Sequence, residues 1–257
     1  MALVNPTYER LRVRFDEQIC FIQLHRPEAD NAIDQQLIDE CSAALRHCEH
    51  AASVVVLEGL PDIFCSGADF HEIANHPEGD AQDPGSLYGL WRRLARGPYV
   101  TVAHVRGRVN AGGVGFVAAC DIVLSDEKAT FGLSELLFGL MPACVMPFLI
   151  RRTGLARANY LALSTRPVTA RQAETWGLVD ACDASSDGLL HAHLLRLRRL
   201  EKRAIARYKQ YAAKLEDGLE RSEQAALEAN LDVFTDASNL AKISRFATTG
   251  RFPWDRD

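Results

Sequence analysis

The chain has 257 residues, a formal net charge of −5, and 47% hydrophobic and 25% charged residues. This length suits one large domain with a substantial buried core, and the composition is ordinary for a globular protein. The negative charge argues against a general nucleic-acid binder, and no apolar run approaches the ~20 residues of a membrane-spanning helix. The opening segment lacks an apolar signal core, so we expect a cytoplasmic protein.

The seven cysteines are spread along the chain and form no CxxC pair. An odd number of cysteines without metal-ligand spacing predicts reduced, buried thiols. We therefore expect no metal site, and no other pattern in the sequence calls for a cofactor.

The first elements in chain order are a hairpin, a helix and a buried strand. The segments RLRVRFD and ICFIQLH alternate around Asp16 and Glu17, which predicts a β-hairpin. Residues 34–50 carry apolar side chains at helical spacing, and SVVVLEGL is a continuous apolar strand of the parallel type.

Strands and helices continue to alternate through the middle of the chain. FCSGAD leads into a helix, NHPEGDAQDPGS is typical of a mobile surface loop, and LYGLWRRLAR predicts a helix. PYVTVAHV and DIVLSD are two further strands, separated by a glycine-rich loop and a short apolar run. This alternation favours stacked βαβ turns with right-handed crossovers. From Thr169 onward the pattern is almost wholly helical.

The glycine-rich loop has three interpretations. GVGFVA at 113–118 matches the G-x-G-x-x-[GA] dinucleotide pattern, but the next strand follows too closely for a normal dinucleotide-binding helix. Alternatively, the loops at 64–69 and 110–113 each leave a buried strand and enter a helix, where N–H groups favour anions. Two convergent amides would form an oxyanion hole that stabilises a thioester enolate. The third interpretation is a pair of tight turns.

Four motifs resemble the crotonase, or enoyl-CoA hydratase/isomerase, superfamily in order and spacing. They are RPEADNAI (26–33), FCSGADFHEI (64–73), the stretch from GRVNAGG to GLMP (107–142) and ARQAETWGLVD (170–180). The resemblance covers nearly the whole chain. It implies an α/β spiral of ββα turns over residues 1–195 and a C-terminal helical region over 196–257 that assembles a homotrimer or hexamer. It also implies that the amides of Ala68 and Gly112 hold the carbonyl of an acyl thioester.

Hydratases of this superfamily flank their substrate with two glutamates. The resemblance places one of them on Glu135, within LSELLFGLMP, whereas the other falls on Gly115. This departure argues against a two-glutamate hydration mechanism. A single carboxyl shielded from water has a raised pKa and can both remove a proton and return it to a leaving oxygen. The alternative for Glu135 is an ordinary acid at a helix start.

Three stretches are similar, more narrowly, to the dehydratase-type members of polyketide β-branching cassettes. They are ELLFGLMPACVMPFLIRRTG, VRGRVNAGGVGFV and GRFPWD. Such members remove water from a carrier-bound 3-hydroxy-3-methylglutaryl group to give 3-methylglutaconyl. The resemblance thus implies a hydro-lyase whose partner is an acyl carrier protein bearing a phosphopantetheine thioester, or a CoA thioester.

Charged residues favour the carrier protein over CoA. Glu28 and Asp30 stand where many CoA-using relatives carry a basic residue, and acids there would repel the nucleotide of CoA. Residues 196–214 hold eight Lys or Arg and one Glu, which suits either an acidic carrier or a solvated helix face.

Four residues are candidates for direct contact with the substrate. His71 follows the oxyanion loop and is the first candidate for the far carboxylate, with Tyr88 and Arg92 as further candidates near the predicted mobile loop. Each could equally be an ordinary helix residue. Asn110 could donate a hydrogen bond to the leaving hydroxyl or only close its turn.

Three rival functions remain open. A decarboxylase of the same cassette is the nearest, although relatives of that type lead us to expect a histidine in the C-terminal helices, and none follows His193. A general enoyl-CoA hydratase or isomerase is the second. A non-catalytic thioester-binding or scaffold protein is the third.

Overall fold

Two sheets, one of six strands and one of four, frame the molecule in the computed structural model, which describes residues 8–75 and 83–255. The strands are β1 (Leu11–Asp16), β2 (Ile19–Leu24), β3 (Val54–Glu58), β4 (Ile63–Cys65), β5 (Val100–Val105), β6 (Arg108–Asn110), β7 (Ile122–Asp126), β8 (Thr130–Gly132), β9 (Val168–Thr169) and β10 (Ala181–Asp183).

Eleven α-helices in the described ranges surround these sheets, together with 3₁₀ helices at Pro27–Ala29 and Glu135–Phe138. The α-helices are α1 (Gln35–Ala51), α2 (Phe70–Asn75), α3 (Pro84–Arg96), α4 (Gly112–Ala119), α5 (Met146–Thr153), α6 (Leu155–Ser164), α7 (Ala170–Thr175), α8 (Asp187–Leu197), α9 (Lys202–Leu215), α10 (Gly218–Thr235) and α11 (Ala237–Thr249).

The chain winds as a spiral in which successive turns add a strand to each sheet. The large sheet has the order β1-β2-β3-β5-β7-β10 and is parallel except for the β1–β2 hairpin. The small sheet has the order β4-β6-β8-β9 and is parallel except for its last pair. The pairs β3–β4, β5–β6 and β7–β8 are each followed by helix, so the predicted fold of ββα turns is confirmed.

The local sequence explains where the first elements begin and end. Glu17 adopts a φ of 53° in the tight turn between β1 and β2, as the predicted hairpin requires. Asp34 caps α1 by accepting a hydrogen bond of 2.7 Å from the Leu37 N–H. The buried face of α1 then packs on the large sheet through Leu37, Ile38, Cys41, Ala44, Leu45 and Cys48.

Helix α3 begins earlier than the sequence pattern predicts. Asp83 accepts hydrogen bonds from the N–H groups of Gly85 (3.0 Å) and Ser86 (3.1 Å), and Pro84 occupies the first helical turn, where its missing N–H costs nothing. Residues 83–86 therefore form the start of a helix. The predicted mobile loop falls mostly on residues 76–82, which lie outside the described residues.

The C-terminal third is less uniformly helical than predicted, because β9 and β10 each close one sheet. The expected division after residue 195 falls inside α8, and it stays a prediction. Helix α10 packs on α3 and α5, and α11 packs on α2. Leu219 of α10 and Ile243 of α11 are fully buried. The last two helices thus cover the middle of the spiral.

Two further properties concern the described part of the chain. All seven cysteines are buried and free of disulfide bonds. None of the helices in residues 8–75 and 83–255 combines the length and the apolar character needed to cross a membrane.

Candidate active site

A cavity of about 1080 Å³ opens between the strand ends and the last two helices. Ala68, Gly112 and Glu135 all line it, so the three groups expected to act on the thioester face one space. Much of the remaining wall is apolar, which limits the access of water. Its aromatic members are Phe70, Trp91, Phe138, Phe234, Phe246 and Phe252.

The Ala68 amide is left without a protein acceptor by the way its loop is paired. Ile33 bridges to this loop in parallel: its N–H donates to the Gly67 carbonyl (2.8 Å), and its carbonyl accepts from the Asp69 N–H (3.0 Å). In parallel pairing, the residue between these two bonds directs its own N–H to the other side. Among the described residues, none accepts a hydrogen bond from the Ala68 N–H.

Asp69 fixes this loop from two directions. Its Oδ1 accepts hydrogen bonds from the N–H groups of His71 (2.9 Å) and Glu72 (3.1 Å), which begin α2. Its Oδ2 lies 2.7 Å from Arg26, whose guanidinium also lies 3.3 Å from Asp34. A buried ion pair with additional hydrogen bonds holds its backbone in one geometry.

Gly112 supplies the second amide as the first residue of α4, where N–H groups have no partner within the helix. The preceding Ala111 has φ 49° and ψ −123°, a backbone conformation that residues other than glycine rarely adopt. The two loops touch, since a Cβ placed on Gly67 would lie 2.6 Å from Ala111 Cβ and 3.5 Å from the Gly112 nitrogen. Gly67 also has a φ of +101°, so glycine is needed there on both counts.

Glu135 begins the 3₁₀ helix Glu135–Phe138 and lies on the wall of the cavity, much of which is apolar. The Oε2 atom is buried and has no hydrogen-bond partner among the described residues. Burial raises the pKa of Glu135 to about 7, against an opposing effect of the backbone N–H groups of Glu135 and Ser134. A carboxyl with such a pKa can take up and release a proton near neutral pH.

The position at which the family resemblance implies a second glutamate is closed by an aromatic ring. A Cβ on Gly115 would lie 2.6 Å from both Cη2 and Cζ2 of Trp91. The indole is held there between the rings of Phe116 and Phe148, with centroid distances of 5.9 and 5.8 Å. Trp91 is 1% exposed, and its Nε1 has no hydrogen-bond partner in the described residues. The site therefore has no room for a side chain at position 115.

Asn110 lines the cavity but is not placed to donate to a substrate. Its Nδ2 donates to the Ser66 carbonyl (3.2 Å) and to Ser134 Oγ (2.9 Å), which engages both amide hydrogens. The structure thus corrects the expected contact with the leaving hydroxyl. Asn110 instead links the oxyanion loop to the start of the Glu135 helix.

The candidates for the far carboxylate divide into one that reaches the cavity and two that do not. His71 is exposed and lines it. Tyr88 and Arg92 are absent from the lining formed by the described residues. Tyr88 is fully buried and donates to the Leu219 carbonyl (2.6 Å), and Arg92 pairs with Glu223 of α10. The predicted roles of these two are corrected, because both side chains contact α10 and neither belongs to the cavity lining formed by the described residues.

Sequence reasoning missed Trp91 and the aromatic residues of the last two helices. The one signal for Trp91 was indirect: Gly115 leaves an empty position beside the glycine loop, and something else must fill it. No periodic pattern connects positions 91 and 115. The aromatic residues of the C-terminal region resemble ordinary core residues until the fold places Phe246 and Phe252 on the cavity.

Comparison with known proteins decides the family. The sequence profile of the enoyl-CoA hydratase/isomerase family matches residues 14–257. The chain belongs to this family. It is 52% identical over 255 residues to the bacillaene synthase dehydratase PksH of Bacillus subtilis (strain 168), covering 97% of this chain and 98% of that protein.

Two further similarities agree with this assignment. The crystal structure of the polyketide biosynthesis enoyl-CoA hydratase pksH from Bacillus subtilis superposes with a TM-score of 0.93 at 52% identity, covering 96% of this chain and all of that one. The mevalonyl-coenzyme A hydratase sidH of Aspergillus fumigatus is 36% identical over 184 residues, which cover 68% of this chain and 67% of that protein.

Family membership confirms the predicted crotonase fold and shows an enzyme of the hydratase and dehydratase type, a hydro-lyase. The dinucleotide interpretation of residues 113–118 is wrong. Helix α4 has eight residues and β7 starts at Ile122, so the crossover that a nucleotide-binding unit needs is missing.

Proposed function

We propose that this enzyme removes water from a 3-hydroxy-3-methylglutaryl thioester on an acyl carrier protein and forms the 3-methylglutaconyl thioester. The observation that carries the proposal is the pair formed by Glu135 and Gly115: one carboxyl with a raised pKa faces the cavity, and the position of a second carboxyl is filled by the Trp91 ring. Similarity to a protein named as a polyketide dehydratase supports the same direction of reaction.

The proposed steps use only groups that line the cavity. The thioester carbonyl accepts hydrogen bonds from the N–H groups of Ala68 and Gly112, which stabilise the enolate that forms. The Glu135 carboxylate takes a proton from C2. The C3–O bond then breaks, its electron pair stays on the departing oxygen, and the Glu135 carboxylic acid returns the proton to that oxygen. The products are the unsaturated thioester and one water.

One relative is named for a substrate that shares two substituents at C3 with the 3-hydroxy-3-methylglutaryl group. A mevalonyl group has a hydroxyl and a methyl on C3, as a 3-hydroxy-3-methylglutaryl group does, and the chain is 36% identical to a protein named mevalonyl-coenzyme A hydratase. Among the described lining residues, His71 and Arg108 are the basic ones, and they are our candidates to receive the far carboxylate.

Charges at the cavity mouth favour a carrier protein over CoA. Glu28, Asp30 and Asp83 line the cavity. Asp30 is paired with Arg108 at 2.9 Å, and Glu28 forms longer ion pairs with Arg26 (3.6 Å) and Arg10 (3.7 Å). Arg108 is the one arginine among the described lining residues. Excess acid at this mouth would repel the phosphates of CoA, whereas a phosphopantetheine arm on a carrier has one phosphate.

The basic segment 196–214 is only partly available to such a carrier. Lys209 forms a buried ion pair with Asp121 (2.7 Å), and Lys202 donates to the Ala52 carbonyl. Arg203 and Arg207 of α9 are exposed and offer positive charge to an acidic surface.

The decisive experiment is mass spectrometry of carrier-bound 3-hydroxy-3-methylglutaryl substrate incubated with the protein. We expect the loss of one water, and a fall of about 10³-fold or more for Glu135→Gln, with an unchanged circular dichroism spectrum. Loss of carbon dioxide from the unsaturated product would favour a decarboxylase instead. An inert substrate together with turnover of short enoyl-CoA would favour a general hydratase, and full turnover by Glu135→Gln would refute the role of the carboxyl.

We also propose the trimer or hexamer that the family resemblance implies. Large apolar side chains are exposed on α6 and α9, including Leu163 (74%) and Leu215 (70%), and burial in an assembly would remove them from water. Light scattering should give three or six times the chain mass of 28.4 kDa. A monomer in solution would contradict this proposal without affecting the catalytic one.

A further inference from the structure

Among the described residues that line the cavity, two buried side-chain atoms lack hydrogen-bond partners, and the mechanism above uses only one of them. Oε2 of Glu135 moves the proton. The other belongs to Trp91, whose Nε1 is buried and unpartnered in the described residues while the residue itself lines the cavity. A buried N–H without an acceptor costs free energy, so its retention calls for an explanation.

The edge of the indole that carries its N–H lies near Gly112. Cζ2 of Trp91 lies 3.8 Å from where a Cβ on Gly112 would stand. Nε1 and Cζ2 are both bonded to Cε2, so they lie on the same edge of the ring. The Gly112 amide marks the thioester carbonyl, and C3 with its oxygen is only two carbons further along the chain.

We infer that the Trp91 Nε1–H donates a hydrogen bond to the C3 oxygen that leaves as water. This inference rests on the proposed dehydration. As the C3–O bond breaks, the oxygen gains negative charge until Glu135 returns the proton, and a fixed donor stabilises that charge. The indole donates but does not accept, so it holds the oxygen without competing for the proton.

The surroundings of the indole favour this oxygen over the far carboxylate. The ring is 1% exposed and packed between Phe116 and Phe148. A full carboxylate placed against one neutral donor in such a setting would lose more hydration than the bond returns. A hydroxyl is neutral in the bound substrate and becomes charged only as it departs.

Kinetics of matched tryptophan variants give the first test. We expect Trp91→Phe to lower kcat about 10- to 100-fold with a smaller change in KM, because the lost donor acts mainly in the transition state. Trp176→Phe is the control, since Trp176 is half-buried against Tyr160 and does not line the cavity. Because phenylalanine leaves a gap, benzothienylalanine at position 91, which keeps the shape and lacks the N–H, should give the same fall at unchanged thermal stability. Full kcat in the benzothienylalanine protein would overturn the inference.

A spectroscopic readout separates bonding from packing. The chain has three tryptophans, so the ¹⁵N spectrum should show three indole N–H signals, and Trp91→Phe identifies one of them. In a Glu135→Gln background, 3-hydroxy-3-methylglutaryl pantetheine should shift the Trp91 signal downfield, and 3-methylglutaconyl pantetheine, which lacks the hydroxyl, should not. A shift with both ligands, or with neither, would refute the bond to the C3 oxygen.

The experiments distinguish a wrong inference about Trp91 from a wrong proposed function. If the wild-type protein leaves the 3-hydroxy-3-methylglutaryl substrate intact, the proposed function is wrong. The titration repeated with 3-hydroxybutyryl pantetheine then still decides whether the Trp91 N–H binds a C3 hydroxyl. If the wild-type protein dehydrates the substrate and the benzothienylalanine protein does so equally well, only the inference about Trp91 is wrong.

Discussion

The indole of Trp91 occupies the space that a side chain at Gly115 would need, with two ring carbons 2.6 Å from the position of its Cβ. The missing second glutamate is therefore part of a packed arrangement that involves both residues. Restoring the carboxyl by a single substitution would force the ring to move.

Gly115→Glu should consequently destabilise the protein without creating hydratase activity. We expect a loss of about 2 kcal/mol or more in the free energy of unfolding, measured by urea denaturation, because the packed ring must shift. Gly115→Ala should lose stability in the same direction. Combining Gly115→Glu with Trp91→Ala should cost less than the sum of the two changes, since they share one space. A Gly115→Glu protein as stable as the wild type would contradict this packing.

Dehydration should depend on pH through Glu135. In the proposed mechanism the Glu135 carboxylate takes the C2 proton, and burial raises the pKa of this group to about 7. The value of kcat/KM should therefore rise with pH up to about 7 and then level off. Initial rates across this range in buffers of constant ionic strength provide the measurement. Rates that stay flat from about pH 5 upward would indicate a carboxyl with an ordinary pKa.

The same raised pKa predicts that Glu135 lowers stability at neutral and alkaline pH. Its unfolded pKa is near 4.5 and its folded pKa near 7, so between these values the folded state holds a proton that the unfolded state has lost. The contribution of Glu135 to the free energy of unfolding is at its maximum below pH 4.5 and decreases as the pH rises to about 7. Glu135→Gln, which resembles the protonated form, should therefore match the wild type at low pH and exceed it by about 3 kcal/mol above pH 7. The measurement is thermal unfolding of the wild type and Glu135→Gln, once at low pH and once above pH 7. If the carboxyl were not desolvated, the difference in stability between the two proteins would be the same at both pH values.

Replacing Ala111 by glycine should stabilise the protein. Its φ of 49° and ψ of −123° are strained for alanine and acceptable for glycine. Ala111→Gly should raise the free energy of unfolding by about 1 kcal/mol. Ala119→Gly is the matched control within the adjoining helix α4, where glycine should instead cost about 1 kcal/mol. Equal losses in both variants would show that residue 111 is not strained.

Arg26 should matter for both stability and rate, because it pairs with the aspartate that anchors the oxyanion loop. The two side chains are 13% and 6% exposed. Arg26→Gln should cost about 2–4 kcal/mol by leaving the buried Asp69 carboxylate without an ion-pair partner, and should lower kcat as the Ala68 amide loosens. Lys128→Gln, which breaks the exposed pair with Asp62, should change stability by less than about 1 kcal/mol. Similar small effects in both variants would argue against a structural role for Arg26.

The longer elements could be predicted from residue patterns, whereas the short strands could not. The hairpin β1–β2, helix α1 and strands β3, β5 and β7 carry clear periodicity or continuous apolar runs. Strands β4, β6 and β8 have three residues each, and β9 has two, which is too few for any period to register. They were implied only by the family resemblance, which is also how Ala68, Gly112 and Glu135 were identified.

The remaining site residues depend on long-range packing. Tyr88 and Arg92 lie in sequence close to the cavity-lining Leu87 and Trp91, yet their polar groups contact α10 instead of the cavity. Nothing local in LYGLWRRLAR states where α10 will lie. The same holds for Trp91, because its role in closing the site depends on Gly115 in the next turn of the spiral.

The single carboxyl of Glu135 has a stereochemical consequence. If one carboxyl group both collects the hydrogen from C2 and hands it to the departing oxygen, these two atoms must leave from the same side of the acyl chain. Only one of the two prochiral hydrogens at C2 then faces the carboxyl, and the configuration at C3 decides on which side of the new double bond the methyl and the carboxymethyl group come to lie. The position of a single side chain thus fixes the face of the acyl chain from which both groups depart.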